Sequence, residues 1–323
     1  MKSHTINFAL LALLLFLFFG AASGAAENRN IVTTTGMITD IVQRIAGKSL
    51  NVTGLMGAGV DPHLYKPTRS DIAKLSSADA VFYNGLLLEG KMTDTLQRIA
   101  ASGRRVYAVT EKISPDSLLH PEEFSGHPDP HVWMDPMLWL ETLPVITQHL
   151  SEIYPSQKEE FKTNSALLAE ELRKLHDYAE QMLHSIPAES RILITAHDAF
   201  HYFGKRYALV VRGIQGLSTE SEAGVRDIES LVSMIVERKI SAVFVESTVS
   251  QRNIQALIEG AQSKGHSLTI GGELFSDAMG KPGTYEGTYI GMIDHNVTTI
   301  ARSLGGEAPK RGMNGKLSPQ FVK

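Results

Sequence analysis

The sequence predicts an α/β protein of two lobes, each a mostly parallel sheet flanked by helices, with one long helix joining them. Three observations carry this expectation. Short apolar runs alternate with amphipathic stretches along residues 31–109 and again along 191–304, the pattern of successive βα units. Between them, in residues 156–184, Leu168, Leu172, Leu175, Tyr178 and Met182 recur every three or four residues, so one apolar face runs the length of the segment. The composition, 43% hydrophobic and 20% charged over 323 residues, suits a packed core and is long enough for two domains.

At the N-terminus, Lys2 and His4 precede the apolar run 8–19, and small residues follow from Gly20 to Ala26. That order is expected for a secretory signal peptide over 1–26, since a dozen apolar residues are too few to span a bilayer. Residues 27–154 are then expected to form the N-terminal lobe. Runs 31–34, 50–56, 78–83 and 105–109 read as strands. Helices are expected at 39–46, ended by Gly47, from Thr68 or Ser70 through Leu75, and at 91–101. Residues 115–130 hold four prolines and no periodicity, which predicts a surface loop. Asp135-Pro136 opens a helix expected to run over 137–153.

The joining helix falls within 155–186 and, if continuous, spans roughly 40 Å at about 1.5 Å per residue. The alternation restarts in the C-terminal lobe, 187–323. Strands are expected at 191–195, 209–214, 242–245 and 267–270, the last entering Gly271-Gly272. Helices are expected at 199–207, 225–237, 250–264 and 288–304.

Net charge is −4, and no basic run carries interleaved aromatics, so nucleic acid is not an expected partner. There is no cysteine, hence no disulfide and no thiolate metal ligand. With the leader, this predicts a soluble, exported, periplasmic protein that is not a lipoprotein, because a lipidated cysteine is missing. A metal site would have to be built from His, Asp, Glu and water.

The stretch HPDPHVWMDP, residues 127–136, offers such groups. Its prolines stiffen the loop, so an imidazole presented there loses little further entropy on ligation. The tripeptide Asp-Pro-His recurs at 61–63. Four candidates fall in stiff loops or just after expected strands, where open α/β sheets present ligands: His63, His131, His197 and Asp277. Three imidazoles and a carboxylate suit Zn²⁺ and, less well, Mn²⁺ or Fe²⁺. A ligating imidazole needs a partner for its other nitrogen. Glu246, just after a strand, is either that acceptor or a carboxylate at a helix N-terminus. His201 lies four residues after His197 and reads as a supporting or packed histidine rather than as half of a His-xxx-His zinc pair. His127, His176 and His184 read as solvated, and Trp133 and Trp139 as core.

The motifs GVDPHLYKPTRSDI, HPDPHVWMDP, TAHDAFHYFGKRY, GIQGLSTESEAG and YEGTYIGMIDHN resemble the metal-binding solute-binding proteins of zinc and manganese ABC importers, the TroA/ZnuA-type family. The resemblance covers nearly the whole chain after the leader, in order. It implies two α/β lobes joined by one rigid helix, with metal held between them by His63, His131, His197 and Asp277. It implies a binding protein, not an enzyme, that captures a divalent ion and hands it to a membrane permease, and it is expected to act as a monomer. Zinc is favoured as cargo, with manganese or iron(II) as alternatives. Two departures bear on the metal: the 115–130 loop is short where zinc-dedicated members often carry a long His/Asp/Glu-rich insertion, and His197 stands where manganese-dedicated members often have Glu. The competing functions are a zinc-dependent hydrolase, against which no HExxH pair is present, and a metal-stabilised adhesin.

Overall fold

The computed structural model describes residues 29–124 and 126–319, so the leader expected over 1–26 lies outside the described residues. In the first half, strand β1 (Asn30–Thr33) lies between β2 (Asn51–Gly54) and β3 (Ala80–Tyr83), and β4 (Val106–Ala108) adds beyond β3. All three pairings are parallel. The helices that link these strands are α1 (Gly36–Ala46), α2 (Arg69–Ser77) and α3 (Thr93–Ala101). Helix α1 forms because Met37, Ile38, Ile41, Val42 and Ile45 share one buried face, and Gly47, at φ 62°, ends it. Thr68 and Asp71 close a reciprocal capping box at the start of α2, which selects Thr68 over Ser70 as the cap.

The helix expected over 137–153 is two helices, α4 (Pro136–Leu140) and α5 (Leu143–Ile153). Pro144 explains the break: it has no N–H to bond the carbonyl four residues back, and its ring would clash there. At the break, the Thr142 hydroxyl and backbone N–H both bond the Trp139 carbonyl, at 2.7 and 3.0 Å.

The joining helix is continuous. Helix α6 (Lys158–His184) runs 27 residues and buries Phe161, Leu168, Leu172, Leu175, Ala179 and Leu183 along one face. Its first half faces α1, with Asn164 donating to the Ile45 carbonyl at 3.0 Å. Its second half faces the C-terminal half, with the Tyr178 and Thr298 hydroxyls 2.8 Å apart.

In the C-terminal half, β5 (Ile192–His197) pairs in parallel with β6 (Val210–Gln215), and β7 (Ala242–Glu246) with β8 (Thr269–Leu274). Strands β5 and β7 pack side by side. Helices α7 (His201–Tyr207), α8 (Val225–Glu237), α9 (Arg252–Ser263) and α10 (Tyr289–Ser303) complete it. The strand expected to stop at 270 continues through Gly271-Gly272 to Leu274. These glycines permit close packing rather than a turn: a Cβ on Gly272 would lie 2.5 Å from Thr299 of α10.

One apolar core takes side chains from both halves: Ile41 and Phe82 from the first, Leu172 and Leu175 from α6, Ile293 and Val297 from α10. Among the described residues, no helix is long and apolar enough to cross a membrane.

Candidate metal centre

Four side chains meet at the seam between the halves. His63 comes from the loop after β2, His131 from the loop before α4, His197 from the last position of β5, and Asp277 from three residues past β8. His197 therefore ends its strand rather than following it. All four are buried, none more than 3% exposed. His63 Nε2 lies 3.3 Å from His131 Nε2 and 3.5 Å from Asp277 Oδ2. His131 Nε2 is 3.4 Å from Asp277 Oδ1, and His197 Nε2 is 3.2 Å from Oδ2. All four donor atoms fall within 4.8 Å of one another. Bonds of about 2.0–2.1 Å around a tetrahedral zinc ion put neighbouring donors roughly 3.3 Å apart, close to the His63–His131 distance and to the three histidine–Asp277 distances. His197 Nε2 and both Asp277 oxygens are buried without a hydrogen-bond partner among the described residues. Such groups are costly to bury unless something else satisfies them.

The supporting contacts explain why the loops hold this shape. In both Asp-Pro-His tripeptides the aspartate accepts from the histidine's backbone N–H, Asp61 Oδ1 at 2.8 Å and Asp129 Oδ1 at 2.9 Å. The intervening prolines have no N–H to compete for that oxygen. Asp129 Oδ1 also takes His131 Nδ1, at 2.8 Å. Glu246 does the same for His197, with Oε1 accepting from the backbone N–H at 2.8 Å and Oε2 facing Nδ1 at 2.5 Å. Asp129 and Glu246 thereby fix the tautomer that leaves Nε2 of His131 and His197 free to face the centre. Of the two roles weighed for Glu246, the acceptor role is the one the structure presents. Gly213 of β6 leaves room for the turn after His197, since a Cβ there would sit 2.5 Å from the His197 carbonyl carbon.

His201 is not among the four. Its Nδ1 lies 3.2 Å from Asp129 Oδ2 and its Nε2 3.4 Å from Asp198 Oδ1, so it supports Asp129 from behind. His127 and His184 are exposed and His176 half-buried, all away from the cluster. Trp133 and Trp139 are buried, and the Trp133 indole N–H reaches the carbonyl of Ser276, next to Asp277, at 2.9 Å. Sequence reasoning missed Asp61 and Asp129, although the repeated tripeptide carried their signal. It also missed Glu89, whose buried carboxylate accepts from the Thr34 hydroxyl and the Asn84 backbone N–H, each at 2.7 Å. Glu89 thus fills the crevice between β1 and β3, where the strand order reverses. Asn84 in turn donates to the Pro130 carbonyl at 3.1 Å, tying the His131 loop to the sheet.

Burial and charge act differently on the four groups. Burial lowers His63 to about 3, so it is neutral at physiological pH. Burial also acts to lower His197, but the Glu246 and Asp277 carboxylates overcome it and hold its pKa well above the ordinary value. Burial would raise Asp277, yet the three imidazoles, His197 foremost, hold it below the usual carboxylate range. His201, though partly buried, is raised to about 10 by its bonds to Asp129 and Asp198. In the absence of a cation, the two carboxylates that face His197 favour its protonated form.

The family model of ZnuA, the periplasmic component A of a zinc-uptake complex, matches residues 31–303. The manganese-binding lipoprotein MntA of Bacillus subtilis is 46% identical over 284 residues, 88% of this chain and 92% of its own length. The zinc-binding protein TroA of Treponema pallidum is 44% identical over 287 residues, again 88% and 92%. The solved structure of periplasmic zinc-binding TroA superposes with a TM-score of 0.83, covering 86% of this chain and 99% of that one. The substrate-binding lipoprotein SloC of Streptococcus mutans is 29% identical over 310 residues, 94% of this chain and 99% of its own length. The names of MntA and SloC overturn the expectation of a soluble periplasmic protein that is not a lipoprotein. Missing cysteine is therefore no ground for placing this chain.

Proposed function

The chain belongs to the family of the zinc-uptake component ZnuA, and on that premise we propose that His63, His131, His197 and Asp277 hold its divalent metal cargo. The protein is a substrate-binding component of a metal ABC importer and not an enzyme. It captures a metal ion and passes it to a permease, and no bond in a substrate is broken. One observation carries the site assignment: four buried residues whose ligand atoms lie within 4.8 Å of one another, with His197 Nε2 and both Asp277 oxygens lacking a hydrogen-bond partner among the described residues. His131 and His197 offer Nε2 lone pairs because Asp129 and Glu246 take their Nδ1–H groups. Asp277 supplies negative charge against the cation and both of its oxygens face imidazoles of the cluster.

Zinc is the proposed tighter cargo, since three nitrogens and a carboxylate rank Zn²⁺ well above Mn²⁺ and Fe²⁺. A second reading, manganese, is favoured by Asp277, whose two oxygens lie 3.4 and 3.2 Å from different histidines and so permit binding through both. Relatives of each kind stand almost equally near, the manganese-binding MntA at 46% and the zinc-binding TroA at 44% identity. Competition between the two ions, followed by elemental analysis, tests the order: protein that retains manganese against equal free zinc contradicts it. For the site itself, alanine in place of His63, His131, His197 or Asp277 is expected to weaken zinc binding sharply, while His176→Ala leaves it unchanged. Unaltered affinity in both His63→Ala and Asp277→Ala refutes the assignment.

A further inference from the structure

We propose that Thr219 is a positioning residue for metal retention: its hydroxyl, bonded across the cleft to Asp61, holds the His63 loop closed and sets how fast the ion leaves. The inference rests on the metal-site assignment above. Asp61 has two oxygens and uses each for a different half of the molecule. Oδ1 accepts from the His63 backbone N–H at 2.8 Å, and Oδ2 accepts from the Thr219 hydroxyl at 2.5 Å, from a residue 158 positions away on the loop after β6. His131 and His197 are each held through Nδ1 by a buried carboxylate, whereas His63 is held by Asp61 through its backbone. His63 is thus the donor whose placement depends on its loop.

That loop lines the cleft that opens beside the centre. Asp61 and Leu64 form one wall, and Gln215, Thr219, Thr248 and Ser250 the other. Elsewhere around the centre the halves are fastened by buried groups. Trp133 donates to the Ser276 carbonyl at 2.9 Å, and Tyr289 to the Trp133 carbonyl at 2.7 Å. The Thr219 loop differs in kind. Buried Leu217 and the bond from Gln215 Nε2 to the Ser221 carbonyl, 3.1 Å, hold its base, while Glu220, Ser221 and Glu222 are exposed. It can lift without disturbing the core. Lys91 and Glu220 add a second cross-cleft contact at 2.8 Å, but both side chains are more than a third exposed, so it contributes little.

Removing the Thr219 hydroxyl leaves Asp61 Oδ2 without its donor and frees the His63 loop. The effect falls on dissociation, because the ion must still reach the same four donors to bind. Zinc-loaded protein mixed with excess chelator in a stopped-flow instrument reads this directly. Thr219→Val, which keeps the shape, is expected to release zinc roughly tenfold faster, equivalent to about 1.4 kcal/mol. Association is expected to change less than dissociation, and the melting temperature of metal-free protein to fall by no more than a few degrees, as for the loss of one hydrogen bond. Thr219→Ser, which restores the hydroxyl, is expected to release zinc at close to the parental rate, and Lys91→Ala within about twofold of it. An unchanged rate in Thr219→Val, a failure of serine to restore it, or an equal effect of Lys91→Ala overturns the proposal. Parent protein that takes up no zinc overturns the metal-site assignment itself, and the two failures are therefore distinct.

Discussion

Replacing Glu246 by glutamine probes how the site is held without touching a proposed ligand. Glu246 is 3% exposed and faces two donors, the His197 backbone N–H at 2.8 Å and Nδ1 at 2.5 Å. A carboxylate accepts from both. Glutamine has one oxygen and one NH₂, so it satisfies one donor and turns its own N–H groups against the other. If the amide NH₂ faces Nδ1, the imidazole must carry its proton on Nε2, where it blocks the metal. Recovering the productive tautomer then costs one charge-assisted hydrogen bond, about 1.5–3 kcal/mol. Partial relaxation puts the expected loss of zinc affinity at roughly 10–100-fold. Competition titration against a chromophoric chelator near neutral pH measures it, with a circular dichroism melt to establish that the variant is folded. An affinity within about threefold of the parent in a folded variant refutes the argument that Glu246 sets the His197 tautomer.

Proton release follows from the same pair. Glu246 and Asp277 raise the His197 pKa well above its ordinary value in the metal-free protein, while His63, lowered to about 3, is already neutral. Zinc binding near pH 7 is therefore expected to expel about one proton, and affinity to fall about tenfold for each unit that pH drops over that range. Calorimetry in buffers of different ionisation enthalpy counts the protons, and a count of zero contradicts the raised pKa. In α6, Leu172 is fully buried and Leu167 is 60% exposed. Leu172→Ala is expected to cost about 2–5 kcal/mol of stability and Leu167→Ala about 0.5 or less, by denaturant titration. Equal costs would mean that the apolar face of α6 is misassigned. Gly213→Ala is expected to displace the turn after His197, where the added Cβ would lie 2.5 Å from the His197 carbonyl carbon, and so to weaken zinc binding. Unchanged affinity in that variant would show that the turn accommodates a methyl group.

Local features of the fold were legible wherever periodicity carried them. The leucine spacing of 156–184 predicts one helix because a single buried face needs no knowledge of its partners, and α6 is unbroken. Residues 137–153 fail as one helix because Pro144 decides locally what periodicity cannot. Gly271-Gly272 read as a strand end because glycine usually punctuates, while the actual cause is the approach of α10 from 27 residues further along. In the candidate site, stiff loops and strand ends point to His63, His131, His197 and Asp277. The carboxylates that support them were harder to see. Asp129 looks like an ordinary turn residue in a proline-rich loop, and its second oxygen meets His201, 72 residues away, only after folding. Asp61 and Thr219 meet across 158 residues. No local pattern encodes a contact between separate halves of the chain.

The central claim is that three imidazoles and one carboxylate bind the same ion. X-ray absorption at the zinc edge of loaded protein measures this most directly, since imidazole rings leave a distinct multiple-scattering signature. The structure predicts three imidazole nitrogens at about 2.0–2.1 Å and one or two carboxylate oxygens at about 2.0–2.2 Å, with no sulfur in the shell. A shell of two or fewer imidazoles, or one made mainly of oxygen, would contradict it.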